Sequence, residues 1–304
     1  MKILCVGLMV CDVLVKPVSG ELFSKDHTMV DALELSVGGD AFNVASNLKA
    51  LGVESRLVSA VGKDRIGRFV RETLEDMGLE TDGIMDSEMP TAATVVMISA
   101  NGERHFAAKR GASQYLHCDD VPDALLEACD LLYIGSACGI DGLDGEEMQR
   151  LVRRARQHGM QVALDVTGEP APEHMKWLRP VLENTSYFLP SDYEAMTLSN
   201  QRSAVDAARV FQSCGVEHVI VKCGVDGAVY LDKKGRLEHF SAEHVDVVDT
   251  TGAGDAFVAG FLASLSRGYN VPDSIRIATR TGAACIQSVG ASGKLRDLAY
   301  YEIG

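Results

Sequence analysis

The chain has 304 residues, enough for one large α/β domain or two medium ones; 46% are hydrophobic but only 6% aromatic, so its core must be mainly aliphatic. Its 43 acidic and 29 basic residues leave a formal charge of −14, which speaks against nucleic acid or an anionic membrane surface as a partner. Eight scattered cysteines without a Cys-x-x-Cys pair read as buried thiols of a reducing cytosol, and no apolar run approaches the ~20 residues of a membrane span.

Residues 3–8 are a short continuous apolar run, the pattern of a strand covered on both faces of a parallel sheet and not that of a signal peptide. The run ends near Asp12, where α/β proteins bind ligands at the carboxyl ends of strands, although a solvated loop aspartate would look the same. Residues 13–37 alternate loosely through Val13, Val15, Val30, Leu33, Leu35 and Val37, as strands half exposed to water do. Gly38-Gly39-Asp40-Ala41-Phe42-Asn43 then opens a helical run of Val44, Ala45, Leu48 and Leu51, with Gly52 as its stop. Asp40 is the expected N-cap, which sets Asn43 at the third helical position with its amide near the helix mouth. The glycine pair permits close approach of backbone to a ligand, but an ordinary strand-to-helix turn has the same composition.

A buried strand is expected at 57–61 and an amphipathic helix at 66–77. Residues 91–99 and 104–108 pair across Asn101-Gly102, the strongest hairpin signal in the chain. Arg104, His105, Lys109 and Arg110 make that hairpin basic in an acidic protein, either as a solvated edge guarded by charge or as a surface turned toward an anion. From residue 119 helices at 121–129, 144–157, 171–183, 192–198 and 203–213 alternate with strands at 131–134, 162–165, 187–189 and 219–222. A hairpin through 227–240 and helices at 253–267, 272–287 and near 294–302 follow. Such alternation means a mainly parallel sheet covered by helices on both faces. No repeat or low-complexity linker interrupts it, so the expectation is a single unit over 1–304 with a small appended sheet from about 13–37 and 91–110.

Asp249-Thr250-Thr251-Gly252-Ala253-Gly254-Asp255-Ala256-Phe257 leads into the apolar run 258–265. Small residues at a helix start leave its unpaired N–H groups unshielded, and these donors attract anions. Asp255 falls in the first turn, where the helix dipole favours an ionised carboxylate. A donor nest beside a base suits transfer of a charged group to a hydroxyl. A plain glycine turn shares the spacing, and the stretch fits neither the dinucleotide fingerprint nor the Walker loop.

Taken together, Gly38-Gly39-Asp40-Ala41-Phe42-Asn43 and Asp249–Phe257 resemble the Gly-Gly-x-x-x-Asn motif and the C-terminal signature of the ribokinase-like (PfkB) carbohydrate kinases. The two stand about as far apart as in that family, and the resemblance covers nearly the whole chain. It implies a ribokinase-like three-layer α/β core, with the small sheet as a β lid that in many relatives also forms a homodimer contact. It further implies transfer of the γ-phosphate of ATP, with Mg²⁺ and a monovalent cation such as K⁺, to a hydroxyl, in first place a primary one, of a monosaccharide or close derivative. By position, Asp255 would be the base and Gly252, Ala253 and Gly254 the anion hole. Asp12, Gly38, Gly39 and Asn43 would hold the sugar, and Arg110 on the lid would steer ATP or a sugar phosphate. Lys222, Gly224 and Gly227 would line the nucleotide, while Asp249, Thr251, Ser288 and Gly290 resemble the monovalent-cation site.

Three departures bear on specificity. The family's Asn-x-x-Glu stretch, which helps organise Mg²⁺ and phosphates, reads Ser191-Asp192-Tyr193-Glu194, so Glu194 is in place and the amide is not. Ser136 stands where ribokinases proper carry a glutamate after the strand expected at 131–134, which argues against ribose. Thr279 replaces the Asn or His that relatives often place beside the adenine. A nucleoside is the alternative acceptor, weighed against by the low aromatic content and the absence of an aromatic cluster near Gly38 or in the lid. A non-catalytic, ligand-sensing member of the fold would be expected to lack Asp255 or the glycines.

Overall fold

Every side chain of the first strand, β1 (Ile3–Val6), is buried in the computed structural model, which describes residues 1–101, 103–288 and 295. Two half-exposed strands follow, β2 (Val10–Val18) and β3 (Ala32–Gly38), then α1 (Asp40–Ala50), β4 (Ser55–Gly62), α2 (Arg65–Asp76) and a short β5 (Ile84–Ser87) that the sequence pattern does not announce. The hairpin of β6 (Ala93–Ser99) and β7 (Arg104–Lys109) leads to α3 (Asp123–Ala128), β8 (Leu131–Ala137), α4 (Glu146–Gln157) and β9 (Gln161–Val166). Next come α5 (Met175–Leu182), β10 (Tyr187–Phe188), α6 (Asp192–Ser199), α7 (Ala204–Ser213) and β11 (His218–Lys222). The pair β12 (Ala228–Asp232) and β13 (Leu237–Phe240) precedes two long helices, α8 (Ala253–Ser266) and α9 (Val271–Cys285).

The large sheet has nine strands in the order β13-β12-β11-β10-β9-β8-β1-β4-β5, parallel from β11 to β5 and antiparallel at the β12–β13 edge. Successive side chains of a strand point to opposite faces, so Leu4 and Val6 join one apolar cluster while Ile3 and Cys5 join the other. The first cluster takes its helical side chains from α3 to α7, and the second from α1, α2, α8 and α9. Helices therefore cover both faces, giving three layers. α8 is buried continuously from Ala256 to Ser264, which is why its sequence is apolar all round and shows no stripe.

The half-exposed strands form a separate four-stranded sheet in the order β3-β2-β6-β7, with β2 and β6 parallel and the outer pairs antiparallel. β2 begins at Val10, so Asp12 lies in a strand and not in a loop; Cys11 N donates to Ala92 O at 3.0 Å and ties the root of this strand to β6. The expected helix at 171–183 is a single 3₁₀ turn from Pro172 to His174 and then α5. Gly102 of the Asn101-Gly102 turn, and all but Leu295 of the segment expected near 294–302, lie outside the described residues.

Candidate active site

Gly39 and Gly252 are the two N-caps around which the site is built. Gly39 has φ +98° and packs against the Leu8 carbonyl at the exit of β1, where a Cβ would collide with backbone. A Cβ on Gly38 would collide instead with the carboxylate of Asp12. The glycine pair thus lets β3 turn into α1 directly over the carboxyl end of β1 and beside Asp12. Gly252, at φ +72°, caps α8 in the left-handed conformation and places Asp255 in its first turn. From α1, Asn43 Nδ2 donates to Asp255 Oδ2 at 2.8 Å, so the two signature motifs meet in one hydrogen bond across 212 residues.

Asp40 is not the cap expected of it. Gly39 takes that position, and Asp40 turns inward as the first helical residue, which moves Asn43 to the fourth. Its buried carboxylate accepts from Ala41 N at 2.5 Å, from Leu8 N at 3.3 Å and from the Ser136 hydroxyl. Ser136 also accepts from Leu8 N at 3.2 Å. β8 runs to Ala137, past the expected end at Ile134, so Ser136 is inside the sheet and its hydroxyl is engaged by Asp40 and Leu8.

These carboxylates share a low-dielectric setting. Burial pushes Asp255 up to about 7, and the neighbouring charge of Asp40 adds to that, while the Asn43 amide and Lys222 pull the other way. Burial alone pushes Asp12 up to about 6.

On the other side of the α8 start is a cavity of about 310 Å³, mainly apolar, whose lining includes Lys222, Gly224, Gly227, Gly254, Phe257 and Thr279. Four positions read as nucleotide-lining therefore come together with two of the three positions of the glycine turn, since Ala253 also borders it. A Cβ on Gly254 would stand 3.7 Å from Lys222 Nζ, so the ammonium lies close to the glycine turn at the start of α8. Lys222 is ion-paired with Asp165, a buried carboxylate at the end of β9. Burial opposes the charged ammonium, but Asp165, Glu194 and the Asp165 hydrogen bond outweigh it and hold the Lys222 pKa above the ordinary value. Asp165 did not emerge from the sequence reading, although a carboxylate closing the aliphatic run Val162-Ala163-Leu164 was a usable signal. Ser191 and Glu194 cap α6 reciprocally: Ser191 N donates to Glu194 Oε2 at 2.7 Å and Glu194 N to Ser191 Oγ at 3.3 Å. The serine in the Ser-x-x-Glu stretch thus has a structural task beside Lys222, with which it forms a parallel bridge.

Asp249 accepts from Thr251 N at 2.8 Å and is ion-paired with Arg104, which reaches across from β7 of the small sheet. Ser288 Oγ is buried without a hydrogen-bond partner among the described residues, and Gly290 lies outside them. Arg110 lies at the root of the hairpin, largely exposed, and pairs with Asp141. Among the described residues no group of three or more His, Cys, Asp or Glu side chains is arranged to hold a metal ion.

The pfkB family carbohydrate kinase profile matches residues 1–298. The chain belongs to that family. Aminoimidazole riboside kinase of Salmonella typhimurium is 31% identical over 267 residues, covering 84% of this chain and 83% of the relative. Ribokinase of Haemophilus influenzae is 25% identical over 270 residues, covering 86% and 85%. Among solved structures, ribokinase of Thermotoga maritima matches with a TM-score of 0.82 over 98% of both chains at 22% identity. Aminoimidazole riboside kinase of Salmonella enterica, complexed with aminoimidazole riboside and an ATP analog, matches with a TM-score of 0.78 over 98% of both chains at 25% identity. This pfkB protein therefore has the ribokinase-like fold and is an ATP-dependent phosphotransferase with an alcohol acceptor. No helix among its described residues is long and apolar enough to cross a membrane.

Proposed function

We propose that this kinase moves the γ-phosphate of ATP to a primary hydroxyl of a monosaccharide or close derivative, with Asp255 as the general base. The observation that carries the reading is the place of Asp255: in the first turn of α8, held by Asn43, with the Lys222 cavity beside it. Asp12, Gly38, Gly39 and Asn43 hold the acceptor, and Asp255 removes the hydroxyl proton as its oxygen attacks the γ-phosphorus. The new O–P bond forms as the bond to the β-phosphate oxygen breaks, and ADP leaves with that electron pair. The N–H groups of Gly252, Ala253 and Gly254 stabilise the transferring phosphoryl oxygens. Lys222, Gly224, Gly227 and Thr279 line the nucleotide.

Mg²⁺, when bound, neutralises charge on the β- and γ-phosphates. It would be held mainly through phosphate oxygens and waters, as Mg²⁺ usually is, with Ser191 and Glu194 ordering that region. Asp249, Thr251, Ser288 and Gly290 are the positions for K⁺; the Ser288 hydroxyl, buried and without a hydrogen-bond partner among the described residues, fits a cation ligand, whereas Arg104 already neutralises Asp249. The small sheet is read as a lid over the acceptor, with Arg110 steering an anionic substrate at its root. Its exposed Leu33 and Leu35 suit a homodimer contact. The free cysteines fit a reducing cytosol.

A second reading, a nucleoside acceptor, draws support from the 31% identity to an aminoimidazole riboside kinase. An ADP-release screen over pentoses, hexoses, keto-acid sugars, sugar phosphates and nucleosides, with and without K⁺, tests the proposal. Asp255→Asn should lower kcat by at least the ~100-fold typical of a lost general base, with ATP binding nearly unchanged. Near wild-type turnover in that variant would remove Asp255 from the role.

A further inference from the structure

Three tyrosines are buried among the described residues, and a buried phenol ordinarily finds a hydrogen-bond partner. Tyr187 Oη accepts from Gln161 Nε2 at 3.1 Å, and Tyr230 Oη lies 2.9 Å from His218 Nδ1. Tyr133, fully buried on the central strand β8, has no hydrogen-bond partner for its hydroxyl among the described residues. An orphaned buried hydroxyl costs the fold stability, and a phenylalanine would fill the same space without that cost.

The surroundings of this hydroxyl give it a use. Tyr133 opposes Cys5 on β1 and Ala163 on β9, so it stands on the face of the large sheet that α1 and α8 cover. A Cβ on Gly7 would stand 2.8 Å from Asp40 Oδ1; one on Gly135 would stand 2.6 Å from that same oxygen and 3.0 Å from Tyr133 Oη. The two glycines leave room for the Asp40 carboxylate over the strand ends, and the Tyr133 hydroxyl reaches the same spot from below. The titratable groups around it are Cys5 from β1, Asp40 from α1, Asp165 from β9 and Asp255 from α8. Lys222 from β11 and Glu194 from α6 act on Asp165 and Asp255 from beyond, and the charge of Asp255 is also felt by Cys285 of α9. Burial first, and then the charges of Asp165, Asp40 and Asp255, push the phenol well above its ordinary value, so it keeps its proton and remains a donor.

We propose that Tyr133 is a positioning residue for phosphoryl transfer, its hydroxyl being the donor that Asp40 takes up when both Asp40 and Asp255 are ionised. The inference rests on the reading of Asp255 as the phosphoryl-transfer base. Asp40 is already held by the N–H groups of Leu8 and Ala41 and by the Ser136 hydroxyl, so its carboxylate is fixed in place facing the base. One more donor on Asp40 draws its charge away from Asp255. Without that donor more of the Asp40 charge falls on Asp255, and the base ionises only at higher pH.

Tyr133→Phe removes the hydroxyl and keeps the ring. In an ADP-release assay of the full chain, with the acceptor identified by the screen above, the acid limb of kcat/KM should move to higher pH by roughly half a unit relative to wild type. A ring with a merely structural role would not move it. Thermal denaturation of the two proteins, which needs no turnover, is the second measurement. The donor favours ionised carboxylates, so its loss matters more as they ionise: the Tm of the Phe variant, relative to wild type, should fall progressively from about pH 5.5 to about pH 8. A limb that stays in place, or a Phe variant more stable than wild type by the same margin across that range, shows an idle hydroxyl and overturns the proposal. A wild-type profile with no acid limb near neutrality sinks the Asp255 reading instead, and the pH dependence of Tm then decides on Tyr133 alone.

Discussion

Arg104, on β7 of the small sheet, and Asp249, in the loop ahead of the α8 turn, form an ion pair that ties the small sheet to the start of α8. The pair is well shielded, with side-chain exposures of 18% and 7%, so it is screened less than a surface pair. Asp249 also accepts from Thr251 N, which shapes the turn into Gly252. The position of the small sheet is thereby tied to the glycine turn ahead of Asp255. Arg104→Ala should lower kcat/KM, and so should Asp249→Ala. In the double variant the losses should fall short of additive by about 0.5–3 kcal/mol, the range for residues in contact. Strict additivity would show that the two act separately.

The proposed role of Asp255 predicts a pH profile. A general base works only when ionised, and burial together with the charge of Asp40 raises the Asp255 pKa to about 7. kcat/KM should therefore fall as pH drops below about 7 and level off above it. Asn43→Ala removes a hydrogen bond that favours the ionised form, so its acid limb should move to higher pH. A limb that stays in place on that substitution, or lies near pH 4 in the wild type, would detach the profile from Asp255.

The Lys222–Asp165 pair should matter for folding as well as for the nucleotide. Lys222→Met leaves a buried carboxylate unpaired, which typically costs about 3–5 kcal/mol. Replacing both as Lys222→Met with Asp165→Leu should restore much of the lost stability and none of the ATP affinity. Thermal denaturation and the KM for ATP separate the two effects. A double variant no more stable than Lys222→Met alone would show that the pair is not an isolated electrostatic unit.

What the sequence discloses divides along the range of the interaction. The parallel core is readable because 3–6, 131–134 and 162–164 are unbroken aliphatic runs, which strands buried on both faces require. The glycine turn ahead of Asp255 is readable because small residues at a helix start have a local physical meaning. Partners set by distant pairing are not readable: Lys222 meets Asp165 across 57 residues and Ser136 meets Asp40 across 96. Asp40 shows a local rule overridden, since the side chain suits an N-cap but Gly39 takes that place and Asp40 is drawn to Leu8 and Ser136. The face on which Arg104 stands depends on the β6–β7 register, and a slip of one residue would turn it away from Asp249.

Asp144 offers a stability test away from the transfer chemistry. It follows β8, accepts from Cys138 N at 3.0 Å, and supports a turn in which Cys138 has φ +72°. Burial pushes its pKa up to about 7, against an ordinary aspartate value of about 3.9 in the unfolded chain. A carboxyl whose folded pKa is raised contributes its full stability below the unfolded value. As pH rises the unfolded chain ionises first, so this contribution is lost progressively between about pH 4 and pH 7. Asp144→Asn keeps an acceptor for Cys138 and removes the titration. The variant should gain in Tm relative to wild type as pH is raised from 4.5 to 8, by about 2 °C for each kcal/mol that ionised Asp144 costs the fold. A difference between the two proteins that is constant across this range would show that Asp144 titrates normally in the folded state.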